Sequence, residues 1–205
     1  MDLFPDSFRT ARLRYERLHR DAVDVFYLYE VMSRPGFDRI VQHVSKSQHQ
    51  TPKETFDYLA EAEAQWADGE RADWAIYPRE GEDGAGEFAG VASLIPLWGR
   101  RTARLGIWLL EPFWGRGYSG ERADALVELA FDRLDLELVA AGCVDGNENS
   151  RRAIEQYVER WGGQYEGVLR NWLVLDGEPH DFHRWSISRA EYEASDVATE
   201  LTVDE

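Results

Sequence analysis

The segment from Leu105 to Glu121 constrains the fold of this chain more than any other. Its apolar first half predicts a β-strand, and a turn with glycines at positions 115, 117 and 120 leads from that strand into a helix. The start of a helix presents unpaired backbone N–H groups and the positive end of the helix dipole, and glycine lets a ligand approach the backbone closely. The segment therefore predicts a strand–turn–helix unit that suits a phosphate-bearing ligand, although the same glycines also suit a tight turn that binds nothing.

The hydrophobic periodicity of the whole chain predicts the element order β-α-α-β-β-β-α-β-α-β-β. The predicted strands are Phe8–Leu18, Ala72–Pro78, Phe88–Ile95, Thr102–Leu110, Glu137–Val144, Gln164–Leu175 and Asp181–Ile187. The four helices in this order are Ala22–Met32, one from the Thr51 capping box to Asp68, Gly117–Arg133 and Asn147–Trp161. Two short helices are predicted in addition, one around Ile40–Val44 and a last one after the Ser188 capping box.

This order predicts a single α+β domain over residues 1–194. Its central β-sheet is mixed, mostly antiparallel and flanked by helices, with a parallel pair where the helix at 117–133 crosses from one strand to the next. Residues 195–205 are acidic and predict a disordered tail.

The charge of the chain excludes one broad class of function. Its 205 residues hold 39 acidic against 23 basic side chains, a formal net charge of -16, whereas nonspecific binding to nucleic acid depends on a cationic surface. Only Lys46 and Lys53 are lysines, so the other 21 basic side chains are arginines. An acid excess with so few lysines indicates adaptation to a salty, halophilic cytoplasm, where salt screens self-repulsion; an ordinary acidic protein from an arginine-rich genome is the alternative.

The remaining composition predicts a cytoplasmic protein without a metal ion. Cys143 is the only cysteine, which excludes an internal disulfide and suits a reducing compartment. No apolar run approaches the roughly 20 residues that span a bilayer, and residues 1–6 lack the basic start of a secretion signal. His180 and His183 lie three apart on a predicted strand and so face opposite sides, which argues against a shared metal ion.

Four arginines fall at the starts of the two helices that flank the predicted strand at 137–144, namely Arg116, Arg122, Arg151 and Arg152. Together they predict a locally positive site inside an acidic protein, as an anionic ligand requires. The alternative is that each arginine lies on a solvated helix face and pairs with a neighbouring acid.

Residues Trp114–Ser119 resemble the acyl-coenzyme A pyrophosphate loop of the GNAT superfamily of N-acetyltransferases. The form of the loop is similar to that of the RimJ/RimL branch, whose members acetylate the N-termini of ribosomal proteins. Further similarities lie, in the expected order, at Ser7–Arg14, Asn147–Ser150, Tyr165–Asn171 and Asp181–Ile187. The resemblance therefore spans roughly residues 7–192.

The chain departs from the pattern of this branch at several positions. Ser119 stands where glycine or alanine is usual, Gly163 where an aromatic residue is usual, and Arg104 where many relatives have a glutamate that is a candidate base. The helix that begins at Asn147 is also about four residues longer than the common spacing, close to one turn.

The resemblance implies an enzyme in which an amine attacks the thioester of bound acetyl-coenzyme A directly. It implies that Trp108, Leu109 and Leu110 hold the pantetheine arm and supply the oxyanion donor, that Trp114, Gly115, Arg116, Gly117, Tyr118 and Ser119 hold the pyrophosphate, and that Asn147 and Ser150 lie beside the sulfur. The candidates for the general acid are Ser150 and, after it, Tyr157; those for the general base are Glu111, Asp145 and Glu148.

The acceptor implied by the resemblance is a protein N-terminal amine. A small amine such as an aminoglycoside or a polyamine is the alternative, and a homodimer is left open. No nucleic acid or membrane partner is expected. Arg104 stands where a glutamate is frequent, so a candidate base is missing. A third interpretation is therefore a binding module that holds acyl-coenzyme A without catalysing transfer.

Overall fold

The fold, taken from a computed structural model that describes residues 3–43, 48–175 and 177–204, is built on one mixed β-sheet. Within these residues the strands are β1 (Ser7–Arg9), β2 (Leu13–Arg17), β3 (Ala72–Pro78), β4 (Gly90–Leu97), β5 (Thr102–Leu109), β6 (Leu138–Val144), β7 (Gln164–Leu175), β8 (Glu178–Ser188) and β9 (Thr202–Val203). They lie in the order β7-β8-β6-β5-β4-β3-β2-β1-β9. Strands β5 and β6 pair in parallel and the other neighbours pair antiparallel, so the predicted mixed sheet is confirmed.

Helices cover both faces of this sheet. They are α1 (Val25–Met32), α2 (Phe37–Val41), α3 (Pro52–Ala67), α4 (Tyr118–Glu128), α5 (Glu148–Arg160) and α6 (Arg189–Ala194), and α4 continues as a π-helical turn over Leu129–Arg133. Alternate residues of β3 enter separate cores: Trp74 and Ile76 pack with α4 and α5, whereas Ala75 packs with α1 and α3. Burial on both faces explains why the central strands are apolar almost throughout. None of the helices in the described ranges is long and apolar enough to cross a bilayer.

Strands β5 and β6 separate after a short paired stretch. Their register runs from Thr102 opposite Leu138 to Arg104 opposite Ala140, and the two strands then continue, to Leu109 and Val144, without pairing to each other. Because β5 stays paired with β4 along its whole length, the gap opens on the β6 side. The gap exposes backbone groups of β5 that an ordinary sheet would satisfy internally.

The predicted single strand Phe8–Leu18 is wrong, because this segment forms the hairpin of β1 and β2. Phe8 pairs with Tyr15, and residues 10–12 make the turn. The carboxylate of Glu121 holds that turn: it accepts hydrogen bonds from the Thr10 hydroxyl at 2.5 Å and from the Arg12 N–H at 2.8 Å. Apolar alternation continues through the turn, so the pattern alone predicts no break.

Two predicted helix starts and one predicted cap also differ from the structure. Helix α1 begins behind Asp24, which accepts the Tyr27 N–H, and not at Ala22. The short helix predicted around Ile40–Val44 is α2 over residues 37–41, and Val44 lies outside the described residues. Helix α3 begins as predicted, but the Thr51 hydroxyl does not cap it and instead donates to the Glu54 carboxylate at 3.0 Å. The capping box at Ser188 is confirmed, because its side chain accepts the Glu191 N–H.

The chain after α6 differs from the predicted disordered tail. Thr202 and Val203 form β9, which pairs with β1, and the Asp204 carboxylate forms an ion pair with Arg9. Val197, Leu201 and Val203 pack against the main core. These three apolar side chains and the pairing with the free edge of β1 hold the segment in place, although its acidic composition is typical of a disordered tail.

Candidate functional site

A cleft of about 910 Å³ opens where β5 and β6 separate. Its walls come from distant parts of the chain: the end of β5, the starts of α4 and α5, the β1–β2 turn, residues 39–43 after the start of α2, and residues 198–200. The sequence predicts most of these walls from the starts of the two helices. The contributions of residues 10–12 and 198–200 were not predicted, because they depend on the hairpin and on β9.

The start of α4 forms one end of the cleft. Gly115 and Gly117 have φ angles of 73° and 79°, in the left-handed region that favours glycine. Gly117 caps the helix without any side-chain hydrogen bond, and among the described atoms no acceptor pairs with the N–H groups of residues 115 to 119. These N–H groups lie at the positive end of the helix dipole, so the loop suits an anion such as a pyrophosphate.

The six predicted loop residues do not all line the cleft. Trp114, Gly115, Gly117, Tyr118 and Ser119 do, whereas Arg116 does not. The Arg116 guanidinium instead donates to the Asp83 carbonyl at 2.7 Å and lies 3.0 Å from the Asp83 carboxylate. Its part in the predicted positive site is therefore limited to its backbone N–H.

Only one of the four arginines at the helix starts brings its side chain to the cleft. Arg152 lines it and forms no ion pair with any described residue. Arg151 pairs with Glu155 at 3.0 Å, and Arg122 is buried, with 2% of its surface exposed. The expectation that all four arginines face an anionic ligand is therefore wrong for most of them.

Three arginines that the sequence did not single out do line the cleft, and each is paired with a carboxylate. Arg12 lies 2.7 Å from Glu121, Arg160 lies 2.6 Å from Asp124, and Arg39 lies 3.4 Å from Glu111. Because opposite charges partly cancel at these distances, they add less positive potential than an unpaired arginine. Arg12 lies in the hairpin turn, Arg160 on α5 and Arg39 on α2, so they meet at the cleft only through long-range packing, for which the local sequence has no signal.

The free edge of β5 forms the middle of the cleft. The Leu110 N–H donates to Ala89 beside β4 at 2.9 Å, and backbone groups of successive residues in a strand point to opposite sides. The N–H and C=O groups of Ile107 and Leu109 therefore point to the open side, and the Trp114 indole confirms this by donating to the Leu109 carbonyl at 2.7 Å. Two unpaired N–H donors thus face the cleft along β5.

This register changes the predicted pantetheine residues. Trp108 and Leu109 line the cleft, but Leu110 does not, and its N–H is already bonded. Ile107 was missed, although it lines the cleft and presents its backbone to it. Backbone groups alternate in direction along a strand, so the sequence would identify Ile107 only if it also showed which residues of β5 bond to β4.

Both candidates for the general acid line the cleft on one face of α5. Asn147 caps this helix by accepting the Ser150 N–H at 3.2 Å, and Tyr157 lies two turns further on. Tyr157 is 1% exposed, and its burial raises its pKa to about 12, while the nearby charge of Arg122 opposes that rise. The phenol is therefore protonated at neutral pH and has a proton to donate.

The three candidates for the general base differ in whether they line the cleft. Glu148 lines the cleft, whereas Glu111 and Asp145 do not. Asp145 lies 3.1 Å from His183 and Glu111 lies near Arg39, so both are held outside. His43 was not predicted but also lines the cleft, and burial and the nearby His180 lower its pKa below the ordinary histidine value.

The structure also explains the unusual glycine at position 163. A β-carbon there would lie 2.4 Å from the Ser186 carbonyl oxygen and 2.9 Å from Val158. Such distances are far below van der Waals contact, so neither the usual aromatic residue nor any other side chain fits at this position.

The chain is similar to known acetyltransferases in sequence and in fold. A family profile described as "Acetyltransferase (GNAT) domain" matches residues 12–157. "Putative ribosomal N-acetyltransferase YdaF" of Bacillus subtilis (strain 168) is 34% identical over 109 residues, which cover 53% of this chain and 57% of that protein. The match thus spans little more than half the length of this curated relative.

Two solved structures have the same arrangement of elements. A GCN5-related N-acetyltransferase from Brucella melitensis superposes with a TM-score of 0.74 at 20% identity, over 93% of this chain and 82% of that one. The ribosomal L7/L12 alpha-N-protein acetyltransferase RimL, solved in complex with coenzyme A, superposes with a TM-score of 0.71 at 18% identity, over 87% of this chain and 95% of that one. At these identities the similarity is one of fold.

Proposed function

Because this chain belongs to the GNAT acetyltransferase family, in its RimJ/RimL-like branch, we propose that it transfers the acetyl group of acetyl-coenzyme A to the α-amine at a protein N-terminus. One observation carries the proposal. The cleft joins a helix start with five unpaired N–H groups to a strand edge with unpaired N–H donors, and this combination suits a long molecule with a pyrophosphate at one end.

The loop at 115–119 binds the pyrophosphate. Its N–H groups and the dipole of α4 attract negative charge, and the Arg152 side chain adds a cation on the opposite wall. Among the described residues, four arginines line the cleft and four carboxylates line it as well, so the side chains supply little net positive charge there. The positive potential therefore comes mainly from backbone groups.

The free edge of β5 binds the pantetheine arm as an added strand does. The amide groups of this arm pair with the backbone of Ile107 and Leu109, as a peptide pairs with an exposed sheet edge. An N–H on this edge then stabilises the oxyanion that forms when the amine attacks the thioester carbonyl. One such donor typically changes the rate by about 100-fold or more.

Residues of α5 handle the protons. The amine attacks the carbonyl carbon, the carbon–sulfur bond breaks, and the electron pair of that bond passes to the sulfur. Tyr157 donates its proton to the sulfur, with Ser150 as the second candidate, and Glu148 is the carboxylate placed to accept a proton from the ammonium, directly or through water. Much of the remaining rate comes from holding both substrates together.

Two further points support turnover and the acceptor class. Arg104 stands where the family frequently has a glutamate, but its side chain does not line the cleft. The replacement therefore removes no base from the cleft. The name of the matched relative and the neighbouring RimL structure point to N-terminal amines of proteins as the acceptors. We also propose that the protein works in a salty cytoplasm, for which its 39 acidic side chains are suited.

A thiol-release assay tests the proposed activity. The purified protein is mixed with acetyl-coenzyme A and either short peptides with free N-termini, the same peptides with blocked N-termini, or small amines such as polyamines and aminoglycosides, in molar KCl. We expect thiol release with free N-termini and none with blocked ones. Release with small amines alone would assign the acceptor to that class, and binding of coenzyme A without any release would indicate a non-catalytic module.

The same assay at low salt tests the proposed cellular setting. Screening of the acidic surface predicts higher melting temperature and activity in molar KCl than in dilute buffer. Equal values in both buffers would contradict adaptation to salt without affecting the proposed activity.

A further inference from the structure

Arg122 is a buried cation that the steps above do not use. It lies on α4 with 2% of its surface exposed, and its Nε and Nη1 atoms have no hydrogen-bond partner among the described residues. No ion pair joins it to a carboxylate within those residues either. Burying a charge costs free energy unless a partner compensates, so the position of this guanidinium requires an explanation.

The groups around Arg122 are mainly phenols. Tyr157 of α5 and Tyr15 of β2 are its strongest electrostatic partners, and Asp124 follows them. The Asp124 carboxylate is bonded to Arg160 at 2.7 Å and to the Trp161 indole at 2.8 Å. This carboxylate is therefore engaged by two other donors.

Tyr157 connects this buried charge to the cleft. Its side chain is buried as deeply as that of Arg122, yet it lines the cleft from the last turns of α5. Burial raises its pKa to about 12, the charges of Cys143 on β6 and Asp124 on α4 act in the same direction, and Arg122 is the cation that opposes them. Burial also raises the pKa of Tyr15, where the charge of Glu121 adds to the rise and that of Arg122 opposes it.

We propose that Arg122 is a positioning residue for acetyl transfer: its buried guanidinium, beside the Tyr157 hydroxyl, supplies the positive charge that lets this phenol give its proton to the departing sulfur. This inference rests on the proposed function. When the carbon–sulfur bond breaks, the O–H proton of Tyr157 moves to the sulfur and leaves a phenolate beside Arg122. The phenolate then takes up the proton that the acylated nitrogen loses, so the atoms and charges balance.

A direct measurement of the Tyr157 pKa tests the electrostatic part. Difluorotyrosine incorporated at position 157 titrates in an accessible pH range and reports its ionisation by fluorine NMR. We compare the natural background with Arg122→Met, Arg122→Gln and Arg122→Lys. We expect the two neutral variants to raise the pKa of the fluorinated phenol by about one unit, a tenfold change in its ionisation constant, and lysine to restore most of the difference.

A double-mutant cycle tests the catalytic part. We expect Arg122→Met to lower kcat about tenfold in the natural background and less than about twofold when Tyr157 is already phenylalanine, with KM for acetyl-coenzyme A unchanged. A purely structural role would lower kcat equally in both backgrounds. Melting temperatures identify any variant that fails to fold, and a neutral side chain of similar volume is often tolerated at a buried ionic position.

Two results would overturn the inference. One is a pKa change below about half a unit in both neutral variants; the other is an equal loss of kcat in the two backgrounds. If the natural protein releases no thiol with any amine, the proposed function fails, and the NMR titration still shows separately whether Arg122 controls the acidity of Tyr157.

Discussion

The two helices that line the cleft begin in opposite ways. Helix α4 starts at Gly117 with a φ of 79° and no side-chain cap, so its first N–H groups stay unpaired. Helix α5 starts at Asn147, whose side chain accepts the Ser150 N–H at 3.2 Å. The first start keeps its backbone donors available for an anion, whereas the second pairs one of its donors with the capping side chain and presents side chains to the cleft.

This difference assigns ligand binding to the start of α4 and catalysis to the side chains of α5. A glycine cap gives up only about a few tenths of a kcal/mol relative to a capping side chain, and a bound anion offsets that loss. A capped start is stable without a ligand and holds Ser150 and Tyr157 at fixed positions. We therefore expect changes at α4 to affect binding and changes at α5 to affect turnover or stability.

The largest expected effect follows from replacing the glycine that starts α4. Gly117→Val forces a β-branched residue to a φ that L-residues rarely adopt, and the loop moves its N–H groups away from the anion. We expect the Kd for coenzyme A to rise by about 100-fold or more, equivalent to about 2.7 kcal/mol, as measured by calorimetry.

Gly86→Val is the matched control for this change. Gly86 also has a φ of 79°, no atom lies within 4 Å of the position of its β-carbon, and it does not line the cleft. We expect a similar loss of thermal stability but unchanged affinity for coenzyme A. Equal affinity loss in both variants would show that loop strain, and not the anion site, explains the result.

The next effect belongs to the tyrosine of α5. Tyr157→Phe removes the proposed proton donor, and we expect kcat to fall about 10- to 100-fold with little change in the Kd for coenzyme A. Because the pKa of Tyr157 is about 12, the phenol stays protonated, and loss of its proton does not limit kcat until the pH rises toward that value.

Tyr58→Phe and Ser150→Ala complete this test. Tyr58 does not line the cleft, so its hydroxyl is expected to leave kcat unchanged. If Ser150→Ala lowers kcat more than Tyr157→Phe does, the acid is Ser150. Unchanged kcat in both variants would remove the proposed role of α5 in proton transfer.

Removing the cap of α5 has a smaller effect that appears in stability. Asn147→Ala leaves the Ser150 N–H without its acceptor, and we expect a loss of about 1 kcal/mol in the free energy of unfolding, with the Kd for coenzyme A within about threefold.

Asp24→Ala is the comparison for this variant, since Asp24 caps α1 away from the cleft. Denaturant unfolding is expected to give similar losses for the two caps. If Asn147→Ala instead weakens coenzyme A binding as strongly as Gly117→Val, the division between the two helix starts is incorrect.

The smallest effect concerns the arginine that lines the cleft without an ion pair. Arg152→Ala removes an exposed charge from the wall of α5, and we expect the Kd for coenzyme A to rise about threefold at low salt and to converge with that of the natural protein near 1 M KCl. Arg151→Ala, whose guanidinium pairs with Glu155, should change the Kd by less at every salt concentration. An equal effect of both substitutions would indicate general charge rather than a local contact.

Much of the fold could be predicted because its elements have local patterns. Strand β3 begins and ends at the predicted residues, and α4, β6 and α5 differ from prediction by a few residues at their ends. The glycine loop and the Asn147 cap were predicted to lie together, and both line the cleft. These features depend on residues within a few positions of one another, so periodicity and capping chemistry are sufficient.

The remaining features depend on contacts between distant residues. The turn between β1 and β2 is held by Glu121, more than 100 residues away in sequence. The last strand exists because β1 offers a free edge and the core accepts Val203. Neither partner lies in the neighbouring sequence, so composition alone predicts a long strand in the first case and a disordered tail in the second.

The sequence by itself determined the order of elements between α1 and α6, the glycines that allow a left-handed turn before α4, and the acidic composition of the chain. Only the tertiary structure decided which charges face the cleft: Arg152 reaches it, Arg116 turns to Asp83, and Arg122 is buried beside Tyr157. The physical reason is that the direction of a side chain at a helix start depends on which carboxylates, phenols and strands the fold brings against it.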